Sequence, residues 1–186
     1  MYMWDIPEQY ANKYIGEYQY ESFDYLLFFH SAPIERTNDI HPVIVYTMSD
    51  EIINKYDCLP NSSLIPVVNE RLKDFLETHA KGNVEFHKID LHTNNGLKDG
   101  FYLLNTLTKL PLIDIQHSVC QYIPRTTAIM GFEQVFFIEE PPEYFCIARC
   151  AEYSSYLMLS DSLVKKMKKE KFKGISYSKV PAHRGS

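Results

Sequence analysis

Apolar positions recur along this chain in two rhythms, helical and continuous, and each predicts a different kind of element. Over residues 69–80, Leu72, Phe75, Leu76 and Ala80 recur at helical spacing, Asn69 can accept a backbone N–H at the amino end, and Gly82 follows the last turn. The signature returns late in the chain. Ser160 caps a run reaching about Glu170 with Leu163, Val164 and Met167 on one side, and Gly174 opens a strand at Ile175-Ser176-Tyr177. Short apolar runs predict buried strands at 26–29, 43–46, 84–91, 101–108, 134–138, 144–150 and 156–159.

Turn chemistry joins these runs. Thr37-Asn38-Asp39 separates the first two strands, and Pro60-Asn61-Ser62 marks a soft boundary after a stretch in which the apolar rhythm fades. Asn95-Gly96 and Asp99-Gly100 predict that 84–91 and 101–108 form an antiparallel hairpin, and Pro141-Pro142 predicts a second between 134–138 and 144–150. Asn69, Leu72, Leu76, Val84 and Phe86 each precede Ser160, Leu163, Met167, Ile175 and Tyr177 by 91 positions. A duplicated unit would produce this echo, and so would the cues that any capped helix and following strand share. The expected fold is α+β, a mostly antiparallel mixed sheet with at least two helices packed on it. Residues 1–61 form an acidic, tyrosine-rich segment of the same fold, 62–180 the core, and 181–186 an unstructured tail.

Composition narrows the function. Apolar residues make up 45% of the 186 and aromatic ones 14%, enough for a packed core. No apolar run approaches the ~20 residues that span a bilayer, and the start lacks a signal peptide's basic and apolar regions, so a cytoplasmic protein without membrane contact is expected. Cys58, Cys120, Cys146 and Cys150 include no Cys-x-x-Cys pair and read as reduced thiols. The net charge of −5 is uneven, since residues 1–60 hold ten acidic and three basic side chains. Such a surface repels nucleic acid and suits a basic protein partner.

Three runs carry a family resemblance. Pro66-Val67-Val68-Asn69-Glu70-Arg71-Leu72 leads through Val84-Glu85-Phe86 to Tyr102-Leu103-Leu104-Asn105-Thr106-Leu107; Tyr144-Phe145-Cys146-Ile147-Ala148-Arg149 follows, then Leu159-Ser160-Asp161-Ser162-Leu163 and Lys173-Gly174-Ile175-Ser176-Tyr177. In that order and spacing, over about 62–180, the chain resembles the immunity-protein family numbered eleven among bacterial polymorphic toxin systems. The resemblance implies an antidote made beside a toxin, which it binds and neutralises in stoichiometric fashion, with no cofactor and no catalysis of its own.

The candidate contact surface is Glu17, Tyr18, Tyr20, Glu21, Asp24 and Tyr25. Tyrosine supplies large contact area at low entropic cost, and carboxylates steer a basic partner, here a toxin domain with a basic active-site groove. Tyr10, Tyr14 and Tyr18 also fit helical spacing, which would pack them on the sheet with the acids facing water. A second candidate, Glu139, Glu140, Glu143 and Tyr144, sits on the proline-stiffened connection and also reads as an ordinary charged turn. Six lysines between 165 and 173 read as a solvated helix face, Asn105 as a buried amide bonded to loop backbone, and Arg149 as a fork for a buried carboxylate or the partner. For catalysis, Cys146, Ala148 and Cys150 describe a packing stripe, and His87, Asp90 and His92 lack the parity and further ligand of a zinc set. A small enzyme with an unfamiliar site and a self-associating scaffold remain the alternative classes.

Overall fold

The computed structural model describes residues 1–35 and 40–182 of the chain. The predicted turn at Thr37-Asn38-Asp39 and positions 183–186 of the predicted tail lie outside them. The first third contributes β1 (Tyr2–Asp5), β2 (Glu17–Tyr18), β3 (Val43–Val45), the one-turn helix α1 (Asp50–Ile53) and β4 (Cys58–Leu59). The middle supplies β5 (Val67–Asn69), α2 (Glu70–His79), β6 (Val84–Lys88), β7 (Asp90–Thr93), β8 (Gly96–Lys98), β9 (Phe101–Thr106) and β10 (Lys109–Leu110). The last third adds β11 (Val119–Tyr122), β12 (Ile129–Gln134), β13 (Ile147–Cys150), β14 (Leu157–Leu159), α3 (Asp161–Glu170) and β15 (Ser176–Lys179). The fold is α+β with mixed, mostly antiparallel pairing, distributed over four sheets among the described residues.

Both predicted helices form as capped. The Asn69 side-chain oxygen accepts the Leu72 N–H at 3.0 Å, and Ser160 Oγ accepts that of Leu163 at 3.2 Å, each satisfying an orphan donor of the first turn. Each helix runs in the same surroundings. The sheet β4-β5-β9-β6 and the four strands β13-β14-β1-β15 of the five-stranded sheet follow one antiparallel plan. Val68 lies opposite Cys58 and Tyr102, and Leu159 opposite Ile147 and Tyr2. Phe86 faces Leu104 as Tyr177 faces Trp4. The Asn69 N–H donates to Asp57 O and the Ser160 N–H to Cys146 O. The 91-residue echo is therefore a repeat of register as well as of sequence cues. The central strand enters from opposite ends of the chain: β9 follows its unit, whereas β1 precedes its own.

Alternation along these strands divides the interior into three cores. Val68, Leu104, Leu157 and Leu159 face a shared core that also buries Leu72 and Leu76 of α2 and Leu163, Val164 and Met167 of α3. Val67 and Leu103 face a second core with Tyr18, Phe28, Ile44, Tyr46 and Leu91, covered by the sheet β2-β3-β7-β8. Ala148, Cys150 and Met158 face a third with Leu112, Phe137 and Phe145. Strands buried on both faces lose the polar half of the alternation, which is why they read as continuous apolar runs.

Four expectations are corrected. Residues 26–29 belong to a 3-10 helix, Tyr25–Phe29, because the Asp24 carboxylate accepts the Leu26 N–H and starts a turn. Tyr10, Tyr14 and Tyr18 share no helix; the chain there passes through a 3-10 turn, Asn12–Tyr14, into β2. The run 84–91 divides at Ile89 into β6 and β7, which join different sheets, and the β7–β8 hairpin is inserted before β9 returns to β6. The hairpin expected across Pro141-Pro142 does not form. β13 has β14 on one edge and β10 on the other, and β12 pairs with β11. Phe137 instead bridges Ile113 and Ala182, and its N–H donates to Pro181 O, so the first positions of the predicted tail are anchored.

Candidate functional site

Residues 17–29 lie over the second core, pinned by two aromatic side chains that point inward. Tyr18 is 1% exposed and donates to Phe23 O at 3.0 Å; Phe28 is fully buried, edge-on to His87. Burial pushes the Tyr18 hydroxyl well above its ordinary pKa, with Asp24 and Tyr20 adding to the shift. Tyr18 therefore shapes the candidate surface from beneath.

Two polar anchors hold the end of this segment and the chain that follows it. Arg149, fully buried on β13, donates Nε to Phe28 O at 3.0 Å and Nη1 to Ser154 O at 2.8 Å, with its guanidinium 4.3 Å from the Phe29 ring centre. Burial lowers its pKa to about 10, which leaves it a cation at neutral pH. Its acceptors are backbone carbonyls, whereas the sequence suggested a carboxylate or the partner. On the other side, Glu85 Oε1 accepts from Ile34 N at 2.8 Å and Asn105 Nδ2 at 2.7 Å and lies 2.9 Å from His87 Nε2; the same Asn105 amide reaches Ala32 O. Burial raises the Glu85 pKa, but these donors outweigh it and leave the carboxyl below its ordinary value. Asn105 thus bonds loop backbone, as its strand register suggested.

On this base stands an exposed cluster. Tyr20 is 52% exposed with its hydroxyl on Ser62, and its ring lies 5.0 Å from that of half-buried Tyr25. Leu26 is 50% exposed beside them in sequence, and Glu17, Glu21 and Asp24 face solvent. Aromatic surface ringed by carboxylates, on a rigid foundation, is equipped for protein recognition. The second predicted group stands elsewhere, above the third core. Glu139, Glu140 and Glu143 are exposed and Tyr144 is 73% exposed, on a turn closed by the Phe145 N–H on Pro142 O.

The residues weighed for chemistry are dispersed through the fold. All four cysteines are free, and burial pushes the Cys58 thiol up to about 12. Cys146 lies outside β13 and packs toward the shared core, so it leaves the stripe expected with Ala148 and Cys150. His87 meets Glu85, whereas Asp90 meets His41. Among the described residues no group of three His, Cys, Asp or Glu side chains could hold a metal ion, and no helix is long and apolar enough to cross a membrane. Lys165, Lys166, Lys168 and Lys169 form the solvated face of α3.

One surface was missed in the sequence, the ribbon β11–β12. Its signal was two runs, Val119-Cys120-Gln121-Tyr122 and Ile129-Met130-Gly131-Phe132, flanking a turn that contains Pro124.

A comparison with curated proteins gives no match. The model of an immunity protein family, Imm11, matches residues 2–182, which extends the resemblance through the amino-terminal third that carries the Tyr20 cluster. Because the match runs from β1 to the bridge at Ala182, the chain belongs to the Imm11 immunity protein family.

Proposed function

We propose that this chain is the antidote to a cognate toxin domain and silences it by stoichiometric binding in the cytoplasm of the cell that makes both, with no catalytic step of its own. Membership of an immunity family carries the class. The observation that carries the mode is the cluster of exposed Tyr20 and Leu26 with half-buried Tyr25, beside the exposed Glu17, Glu21 and Asp24 and over a base where buried Arg149 holds Phe28 O and Glu85 holds Ile34 N. In this reading the aromatic side chains anchor, the acids steer the encounter with a basic groove on the toxin, and the pre-ordered base lowers the entropy lost on docking. Glu139, Glu140, Glu143 and Tyr144 offer a second contact region.

The test is co-purification with the toxin domain encoded beside this chain, followed by titration of variants. Tyr20→Ala should cost about 2 kcal/mol of binding, as truncation of an interface anchor does. Glu17→Lys with Glu21→Lys should slow association and remove its salt dependence. Circular dichroism should stay unchanged, since all three side chains are exposed. Unaltered binding by these variants removes the surface from the reading, and failure of the two proteins to associate removes the function.

A further inference from the structure

Among the described residues the ribbon β11–β12 joins no other sheet. Residues 121–128 are exposed without interruption, and Val119, Tyr122, Ile123 and Met130 present large apolar side chains to solvent. An isolated two-stranded ribbon is marginal in water, and this one is held at its base and along β12 as far as Met130, beside the turn. Ser118 Oγ accepts the Phe136 N–H at 2.9 Å, Tyr153 donates to Met130 O, and Phe132 packs against the rings of Tyr153 and Tyr156. Exposed strand edges are ordinarily blunted by charge, lysine above all. Between 115 and 132 the only formal charge is Arg125, so the ribbon keeps an open edge suited to pairing with another strand.

Beneath the ribbon runs an open groove of about 800 Å³, lined by Ile115, Tyr122, Thr126 and Ile129 on one side and by Glu152 and Tyr153 on the other. Glu152 Oε2 is shielded from solvent and meets no hydrogen-bond donor among the described residues. A shielded carboxylate oxygen without a donor is costly and favours any state that supplies one. Arg149, three positions away, directs Nε and Nη1 to Phe28 O and Ser154 O instead, and its shielded Nη2 meets no acceptor among the described residues. Because Ser154 also lines the groove, the same arginine ties the groove wall to the 3-10 helix of the Tyr20 cluster.

We infer that this groove receives an extended basic segment of the toxin domain, which pairs with the open ribbon edge and sets a Lys or Arg side chain on Glu152. The inference rests on the toxin-binding reading above. Charge selects the occupant, for the group without a donor is a carboxylate in a chain of net charge −5.

The experiment uses the full chain and the adjacent toxin domain. Glu152→Gln should weaken the complex about 30-fold or more, as loss of one member of a buried charge pair does. Glu152→Lys should weaken it further, and neither substitution should alter the circular dichroism spectrum. Hydrogen exchange on the wild-type complex should show the amides of 119–134 newly protected, a readout that stands even where a variant folds poorly. Unchanged affinity of a folded Glu152→Gln variant, or absence of protection in the ribbon, overturns the groove assignment; if Tyr20→Ala still weakens binding, the toxin-binding reading survives it. Failure of the wild-type proteins to associate overturns both.

Discussion

The two strand–strand–helix–strand units at the centre of the molecule share caps, registers and a core, yet they differ in every feature that reaches the surface. In the first unit the central strand β9 arrives after a hairpin excursion through β7 and β8, and its outer face is covered by the tyrosine-rich amino-terminal layer. In the second, the central strand is β1, the start of the chain, and its outer face is covered by residues 110–138, from which the ribbon projects. Where the first unit places Glu85 opposite Asn105, the second places Ser176 opposite Asp5. The repeat provides the shared centre, and the segments inserted between its parts carry the surfaces proposed for binding.

The largest expected break of this likeness is at the glycines after the two helices. Gly82 and Gly174 both have positive φ, but a Cβ at Gly174 would stand 1.9 Å from the Cys58 carbonyl oxygen, whereas one at Gly82 meets nothing within 4 Å. Gly174→Ala should lose about 4 kcal/mol or more by backbone displacement, and Gly82→Ala only the ~1–2 kcal/mol of a left-handed residue. Urea denaturation of both variants reads the difference, and equal losses would contradict the geometry.

Next come the helix faces. Leu76→Ala and Met167→Ala should each cost about 2–5 kcal/mol and should each unfold in one transition, because both side chains lie in the shared core. Separate transitions for the two halves would show that the core is not held in common. The caps should differ more subtly. Ser160→Ala should cost about 1 kcal/mol. Asn69→Ala should cost more, since its amide also donates to Asp57 Oδ1 at 3.1 Å, and thermal denaturation ranks the two.

The smallest effect sharpens the contrast at Glu85. Its folded pKa lies below the ordinary 4.5, so the stability it contributes is present above that value and is lost as pH falls through the folded one. Glu85→Gln should therefore flatten the acid limb of the stability profile, whereas Ser176→Ala should leave it unchanged. An identical acid limb in Glu85→Gln would refute the role assigned to this carboxylate.

The helices, their caps and the 91-residue echo were legible because a cap and an apolar stripe are local signals within a dozen residues. The division of 84–91 at Ile89 was not, since both pieces are apolar and only their partners differ. The same limit hid the partners of β13, whose edges are taken by strands that neighbour it in space and not by the one suggested by the intervening prolines. Of the candidate surface, Tyr20, Glu17 and Glu21 are exposed, as a contact surface requires. Tyr18 is buried, because a tyrosine suits a core and a surface equally well until its neighbours are known.

The sequence by itself determined the α+β class, both long helices and their ends, the acidic bias of the first third and the immunity-family resemblance. These follow from spacing, capping chemistry and charge, which are carried by residues close together in the chain. Tertiary structure alone decided that β1 completes the second unit, that Arg149 and Glu85 hold the chain at Phe28 and Ile34 beneath the tyrosine cluster, and that one Glu152 carboxylate oxygen is shielded at the groove beside the ribbon. Each of those depends on groups far apart in the chain, and only the folded packing brings them together.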